Sequence, residues 1–546
     1  MTPVKDVPMR KLALLLAVLL PATVQAQPAR PAPKLIVAIS VDQFSADLWD
    51  EYRPMLGGGF ARLAGGVAFR NGYQGHAATE TCPGHSTILT GSRPSRTGII
   101  ANVWFDLSQA RSDKAVYCAE DERVPGTSSI NYTVSPMHLK VPTLGELMKR
   151  RDPASRNVAV AGKDRAAIMM GGQVPDQRWY WNGKVYVTDL KSAAVPKMLA
   201  AVNTSVAAAI ARPQAPLVAP PFCTAKSRVV PIEGGGKPVG AGALARAAGD
   251  VRAFRASPEF DGATLALAAS LFQEMQLGRG GATDLLSVGL SATDYVGHSY
   301  GTEGEEMCLQ LFSLDRDLGD FFALLDRSGV DYAVVLTADH GGQDVPERLR
   351  EQGVPNAARV DKALAASAVG KAIGTKLGLA GPVLIGESSF GDMYLDRALK
   401  PADRARALST AVATYRAHPQ VEAVFTSDQL RHTPSPTKSP DKWSLIERAR
   451  ASFDPDRSGD FIVLLKPRIT PIADTTAYVA THGSPWDYDR RVPILFWRPG
   501  SAPAARDEAV ETVDIMPTLA AMIGLPVQPG SIDGKCLTGI DGITCP

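Results

Sequence analysis

Recognisable chemistry sits in four short stretches where histidines, aspartates and glycines stand together. Asp42 closes the segment Ala38-Ile39-Ser40-Val41-Asp42. Asp294 and His298 lie four residues apart in Asp294-Tyr295-Val296-Gly297-His298. Asp339 and His340 are adjacent in Asp339-His340-Gly341-Gly342, and His482 sits in Ala480-Thr481-His482-Gly483. One helical turn, or a tight turn at Gly297, would bring Asp294 and His298 to one ion. The chain has eight histidines, and these three each neighbour a glycine, which lets backbone approach a bound ion or phosphate. Taken singly, each is more often a hydrogen-bonded structural residue than a ligand. Taken together with the aspartates, they supply the mixed nitrogen and oxygen donors that zinc accepts, enough for a two-metal site.

The most specific segment is Ala78-Thr79-Glu80-Thr81-Cys82-Pro83-Gly84-His85-Ser86-Thr87-Ile88-Leu89-Thr90-Gly91. Here the sequence resembles the alkaline phosphatase superfamily. The resemblance extends to the four metal-ligand stretches and to Val513-Asp514-Ile515-Met516-Pro517-Thr518-Leu519, a late helix signature. It implies that Thr81 is the nucleophile at the start of a helix, which the run to Leu89-Thr90-Gly91-Ser92-Arg93-Pro94 continues to its cap. It also implies two zinc ions per chain, one held by Asp294, His298 and His482, the other by Asp42, Asp339, His340 and the Thr81 oxygen. Physically, a helix N-terminus favours an alkoxide and phosphoryl oxygens, and zinc lowers the pKa of a hydroxyl that is otherwise a poor nucleophile. Within the superfamily the chain looks closest to the PafA-type bacterial phosphatases, because Asn102 follows in Ile100-Ala101-Asn102-Val103-Trp104 and Lys163-Asp164-Arg165 follows a strand. In that branch the Asn, Lys and Arg side chains hold the phosphoryl oxygens. The implied reaction is hydrolysis of small phosphate monoesters through a covalent phosphothreonine.

Other readings are weighed on the same residues. Arylsulfatases carry a Cys or Ser, oxidised to an aldehyde, in the place of Thr81, and threonine has no route to that group. A thiolate phosphatase built on Cys82 would need Arg at position 88, which is Ile. Nucleotide pyrophosphatases and phosphodiesterases share the threonine and metal set, so phosphodiesterase remains the alternative; the cationic pair Lys163 and Arg165 favours the doubly charged monoester. An inactive metal-binding module is the alternative of a different class, disfavoured because nucleophile, ligands and clamp occur together.

Elements must bring these residues to one place. Apolar, β-branched runs at Leu35 to Ser40, Val158 to Ala161, Leu285 to Leu290, Tyr332 to Thr337 and Pro493 to Trp497 read as buried parallel-type strands. Helical patterns at Thr143 to Arg151, Ala263 to Gln276, Glu305 to Leu325 and Ala509 to Ile523 alternate with them. The alternation predicts a layered α/β fold, a mostly parallel central sheet flanked by helices. In such sheets ligands bind at the carboxyl ends of strands, where three of the four metal-ligand stretches fall. The catalytic core is expected over 34–341 and 481–546, with an insertion or cap over 342–480 that contains a helix at Ala402 to His418 and strands at Val421 to Thr426 and Phe461 to Lys466.

The N-terminal region suggests export. Lys5, Arg10 and Lys11 precede an apolar stretch from Leu12 to Leu20, followed by Val24-Gln25-Ala26, so residues 1–26 read as a signal peptide cleaved after Ala26, with a Pro-rich leader over 27–33. A periplasmic or secreted protein without a remaining transmembrane anchor is expected. Its six cysteines then suit three disulfides, with Cys536 and Cys545 the most defensible pair and the partners of Cys82, Cys118, Cys223 and Cys308 open. A net charge of +2 over 546 residues, without a basic run interleaved with aromatics, argues against nucleic-acid binding. The chain is expected to act as a monomer.

Overall fold

The computed structural model describes residues 1–3, 30–540 and 543–546; most of the expected signal peptide, over 4–26, and its cleavage point lie outside the described residues. A ten-stranded sheet forms the centre. Five neighbouring strands run parallel, in the spatial order Tyr332–Thr337, Leu35–Val41, Asp284–Leu290, Asn157–Ala161 and Gln177–Trp181. Leu35–Val41 is buried at all seven positions because both faces of the sheet are covered. Its side chains alternate accordingly. Val37, Ile39 and Val41 pack with Phe260, Leu311 and Leu318 from the helices Pro258–Glu274 and Glu305–Ser328. Ile36 and Ala38 pack on the opposite face with Ile88, Leu144 and Leu519 from Thr81–Ile88, Leu144–Arg151 and Ile515–Met522.

This is the expected helix-flanked α/β sheet, with two differences of detail. Arg491–Trp497 is antiparallel to both of its neighbours, Tyr332–Thr337 and Val67–Tyr73; a strand covered on both faces is apolar whichever way it runs, so composition could not give its direction. The late helix begins at Ile515 rather than at Ala509, because Val510–Glu511 pairs with Val67–Tyr73 and a capping box of Glu511 and Asp514 opens the turn that follows.

Between the strands Tyr332–Thr337 and Arg491–Trp497 lies a second, four-stranded antiparallel sheet in the order Leu384–Ile385, Gly391–Leu395, Phe461–Leu465, Val421–Thr426. The helices Ala366–Leu377 and Pro401–Arg416 pack on it around a separate core that includes Ile373, Tyr415 and Val463. Three disulfides join Cys82 to Cys118, Cys223 to Cys308 and Cys536 to Cys545. Among the described residues no helix is long and apolar enough to cross a membrane.

Candidate active site

Adjacent parallel strands deliver the chemistry. Asp42 follows Leu35–Val41, Asp339 and His340 follow Tyr332–Thr337, the helix bearing Asp294 and His298 follows Asp284–Leu290, and Lys163 follows Asn157–Ala161. Asp294 and His298 lie one turn apart on the helix Ala292–Tyr300, so four residues of spacing become one shared face. The donor atoms of Asp294, His298 and His482 lie within 4.8 Å of one another, and so do those of Asp42, Asp339 and His340. The His340 and His482 rings stack at 3.6 Å between centroids, which puts the two clusters side by side.

Each of the three histidines is oriented by a backbone carbonyl. Nδ1 of His298 lies 2.8 Å from the Ala480 oxygen, Nδ1 of His340 2.8 Å from that of Gly341, and Nδ1 of His482 2.8 Å from that of Thr79. With Nδ1–H donating to the carbonyl, Nε2 keeps its lone pair and faces the cluster.

Thr81 is the first residue of the helix Thr81–Ile88. Lys163 Nζ donates to its Oγ1 at 3.4 Å and Arg165 Nη2 at 3.5 Å. Lys163 caps the helix Asp164–Gly171 and Arg165 lies in its first turn, so the pair converges at a helix start. The same ammonium lies 2.6 Å from Asp42 Oδ2 and 2.6 Å from Asp294 Oδ2, tying the hydroxyl to both clusters. One turn further along the helix, His85 Nδ1 lies 3.1 Å from Asp339 Oδ2. Asn102 accepts from the Cys82 amide through Oδ1 at 2.8 Å, leaving its NH2 as a donor on a side chain that lines the adjoining cavity of about 350 Å³. All ten residues singled out by sequence therefore meet in one region.

Residues 36–485 match the family of type I phosphodiesterases and nucleotide pyrophosphatases. The chain belongs to that family, within the alkaline phosphatase superfamily. Its similarity to alkaline phosphatase PhoK of Sphingomonas sp is 55% identity, over 94% of this chain and 92% of that one. To alkaline phosphatase PhoD of Zymomonas mobilis it is 49%, over 94% and 89%. A crystal structure of the wild-type alkaline phosphatase PafA superposes with a TM-score of 0.80 at 26% identity, over 94% of this chain and all of the other.

As a member of this family the chain can be asked whether its own residues suit metal ions. They do. Asp42 Oδ1, Asp294 Oδ1, Asp339 Oδ2 and His340 Nε2 are buried and make no hydrogen bond of good geometry; their neighbours are one another and the histidines His85, His298 and His482, an arrangement that costs free energy unless something positive binds there. Two of the three buried carboxylates, Asp42 and Asp294, share one buried ammonium, Lys163. Burial and the neighbouring Asp339 push the Asp42 carboxyl well above the usual range. Burial acts the same way on Asp294, but His298 and Lys163 outweigh it and hold this carboxyl well below. Burial lowers His340 to about 3, keeping it the neutral ligand a metal requires.

Sequence reasoning missed the supports. Tyr117 and Tyr132 hydroxyls each donate to Asp164 at 2.8 Å, and Arg165 Nη1 lies 3.4 Å from the Tyr117 oxygen, so two tyrosines brace the Lys163-Asp164-Arg165 turn. Asp261 accepts from the Ser291 and Ala292 amides at 2.8 and 2.9 Å, capping the helix that carries Asp294 and His298. Glu387 and Phe390, from the smaller sheet's connections, line the cavity. No local spacing marks any of these; the pairings span tens to hundreds of residues.

Proposed function

We propose that this protein is an exported, zinc-dependent alkaline phosphatase that hydrolyses phosphate monoesters through a phosphothreonine at Thr81. The observation that carries the reading is the approach of Lys163 and Arg165 to the Thr81 hydroxyl beside two metal-capable clusters. A monoester brings three charged oxygens, and two cations converging on the attacking oxygen suit that dianion better than a diester. Similarity to proteins named alkaline phosphatase supports the same conclusion.

Asp294, His298 and His482 would hold one zinc, and Asp42, Asp339, His340 and Thr81 the other; when bound, these ions supply positive charge that lowers the pKa of the hydroxyl and neutralises phosphoryl oxygens. Thr81 Oγ1 gives its proton to solvent and attacks phosphorus in line; the bond from phosphorus to the ester oxygen breaks, and that oxygen leaves on the opposite side into the cavity, taking a proton from water. Lys163, Arg165 and the Asn102 amide hold the equatorial oxygens while the helix N-terminus favours the accumulated charge. Water then attacks the phosphothreonine from the vacated side, and two inversions give retention at phosphorus. The 342–480 segment is read as a cap, since Glu387 and Phe390 wall the cavity that receives the alcohol. The three disulfides fit an oxidising compartment outside the cytoplasm.

The test is hydrolysis of nitrophenyl phosphate against bis-nitrophenyl phosphate by the zinc-loaded protein and by Thr81→Ala. Preferential monoester turnover, abolished in the variant, is expected. Faster turnover of the diester, which the family's phosphodiesterase members would favour, would overturn the substrate assignment. Activity surviving in Thr81→Ala would overturn the nucleophile.

A further inference from the structure

Gln43 adopts a backbone conformation that its side chain ought to make unfavourable. Its φ is +65°, the left-handed region that glycine or asparagine enters readily and a longer L-residue does not. It is one of five non-glycine residues with positive φ among the described residues, and it directly follows Asp42. A strained residue persists where surrounding structure over-determines it, and such residues gather at functional sites.

The surroundings are specific. The Gln43 amide donates to Asp339 Oδ1 at 3.1 Å, so its backbone fixes a carboxylate of the second strand. The residue is 2% exposed, and its side chain lies between two glycines. A Cβ placed on Gly297 would fall 1.5 Å from Gln43 Oε1, and all three of the atoms nearest to it belong to Gln43. A Cβ on Gly342 would fall 2.8 Å from Gln43 Cγ, again with Gln43 supplying the three nearest atoms. Gly297 lies in the helix turn between Asp294 and His298, and Gly342 lies two residues beyond His340. Chain neighbour, hydrogen bond and both packing faces therefore reach elements that carry five of the six Asp and His ligand candidates. Oε1 makes no hydrogen bond, so this end of the side chain contributes volume rather than polarity.

We infer that Gln43 is a positioning residue: a wedge that sets the spacing between the Asp42, Asp339, His340 cluster and the helix bearing Asp294 and His298, and so couples the two metal sites. This rests on the two-metal reading above. The strain at position 43 is retained because glycine, which would relieve it, would leave the space between the two glycine surfaces empty and let the clusters move relative to each other.

The experiment compares wild type, Gln43→Gly, Gln43→Met, Gly297→Ala and the double variant Gln43→Gly with Gly297→Ala, each as the full chain with disulfides intact. Thermal melting of the metal-free protein is measured beside zinc affinity by chelator competition. Gln43→Gly, which relieves the left-handed strain but empties a buried space, is expected to shift the metal-free melting temperature little, yet to bind its weaker zinc about 10- to 100-fold less tightly, the usual cost of losing an outer support. Gln43→Met, of similar length without the amide, restores affinity. Gly297→Ala lowers the melting temperature, and adding Gln43→Gly recovers it, since the wedge is what the new methyl strikes. Wild-type affinity for both ions in Gln43→Gly, or no recovery in the double variant, overturns the inference. Wild-type protein that binds fewer than two zinc ions per chain overturns the two-metal reading itself, and the coupling with it, whereas the melting result judges the wedge without any metal.

Discussion

Asp261 gives the sharpest stability prediction. It is 1% exposed, on the helix Pro258–Glu274, and accepts three hydrogen bonds: from the Ser291 and Ala292 amides on Oδ1 and from Gln310 Nε2 at 2.9 Å on Oδ2. Burial raises its pKa from 3.8 to about 7, against the lowering effect of those donors. The folded state thus holds the proton more tightly than the unfolded chain. Stability from this group is fully present below pH 4 and is lost as pH rises through 7, a change on the order of 4 kcal/mol. Asp261→Asn cannot ionise, so it removes this slope. Its oxygen still receives both amides, and Gln310, whose Oε1 has no partner, can turn over to accept from the new NH2. Asp261→Ala is different: it strands three buried donors at about 1–3 kcal/mol each. Denaturant midpoints of the metal-free protein at pH 4 and pH 9 test this. The Asn variant should match wild type near pH 4 and exceed it at pH 9, while the Ala variant falls below both throughout. Parallel pH profiles for wild type and Asn would refute the reasoning, since they would mean that the carboxyl titrates alike folded and unfolded.

Three further outcomes follow from the site. Arg165→Ala should lower kcat for nitrophenyl phosphate by about 10²- to 10³-fold, the cost of one lost charge-stabilising donor, and Tyr117→Phe should produce a smaller loss by releasing the guanidinium it contacts; steady-state kinetics measure both. Chelation should abolish turnover and lower the melting temperature, because ions that bind only the folded chain stabilise it by mass action, and zinc should restore both. Replacing Cys82 and Cys118 by serine opens a crosslink across 36 residues and should cost about 4 kcal/mol on a chain-entropy estimate, read by denaturation under non-reducing conditions.

The parts of the fold visible in the sequence are those that one-dimensional patterns specify. Leu35–Val41, Asp284–Leu290 and Tyr332–Thr337 are mostly apolar and buried at every position because both faces are covered, and Glu305–Ser328 shows its buried stripe at helical spacing. Val67–Tyr73 escaped because Arg70, Asn71 and Gly72 interrupt it, although it pairs with Arg491–Trp497 along most of its length. Ligand candidates were legible because few residue types serve and all but His482 stand just after a strand of the central sheet. What holds them was not. Asp261 meets Ser291 and Gln43 meets Gly297 only through tertiary packing, and glutamine at a left-handed position contradicts local preference, the kind of conflict that marks a functional site.

The order of the delivering strands also bears on how the protein comes into being. The Asp42 cluster waits for residues 339 and 340, and the Asp294 cluster waits for His482, which follows the whole of the smaller sheet. Contacts of such sequence separation form late, since their loop-closure entropy must be met before they contribute. A chain emerging N-terminus first therefore carries Thr81, the proposed nucleophile, long before either ligand cluster is assembled, so activity should arise at the end of folding, as a report that both clusters are in place.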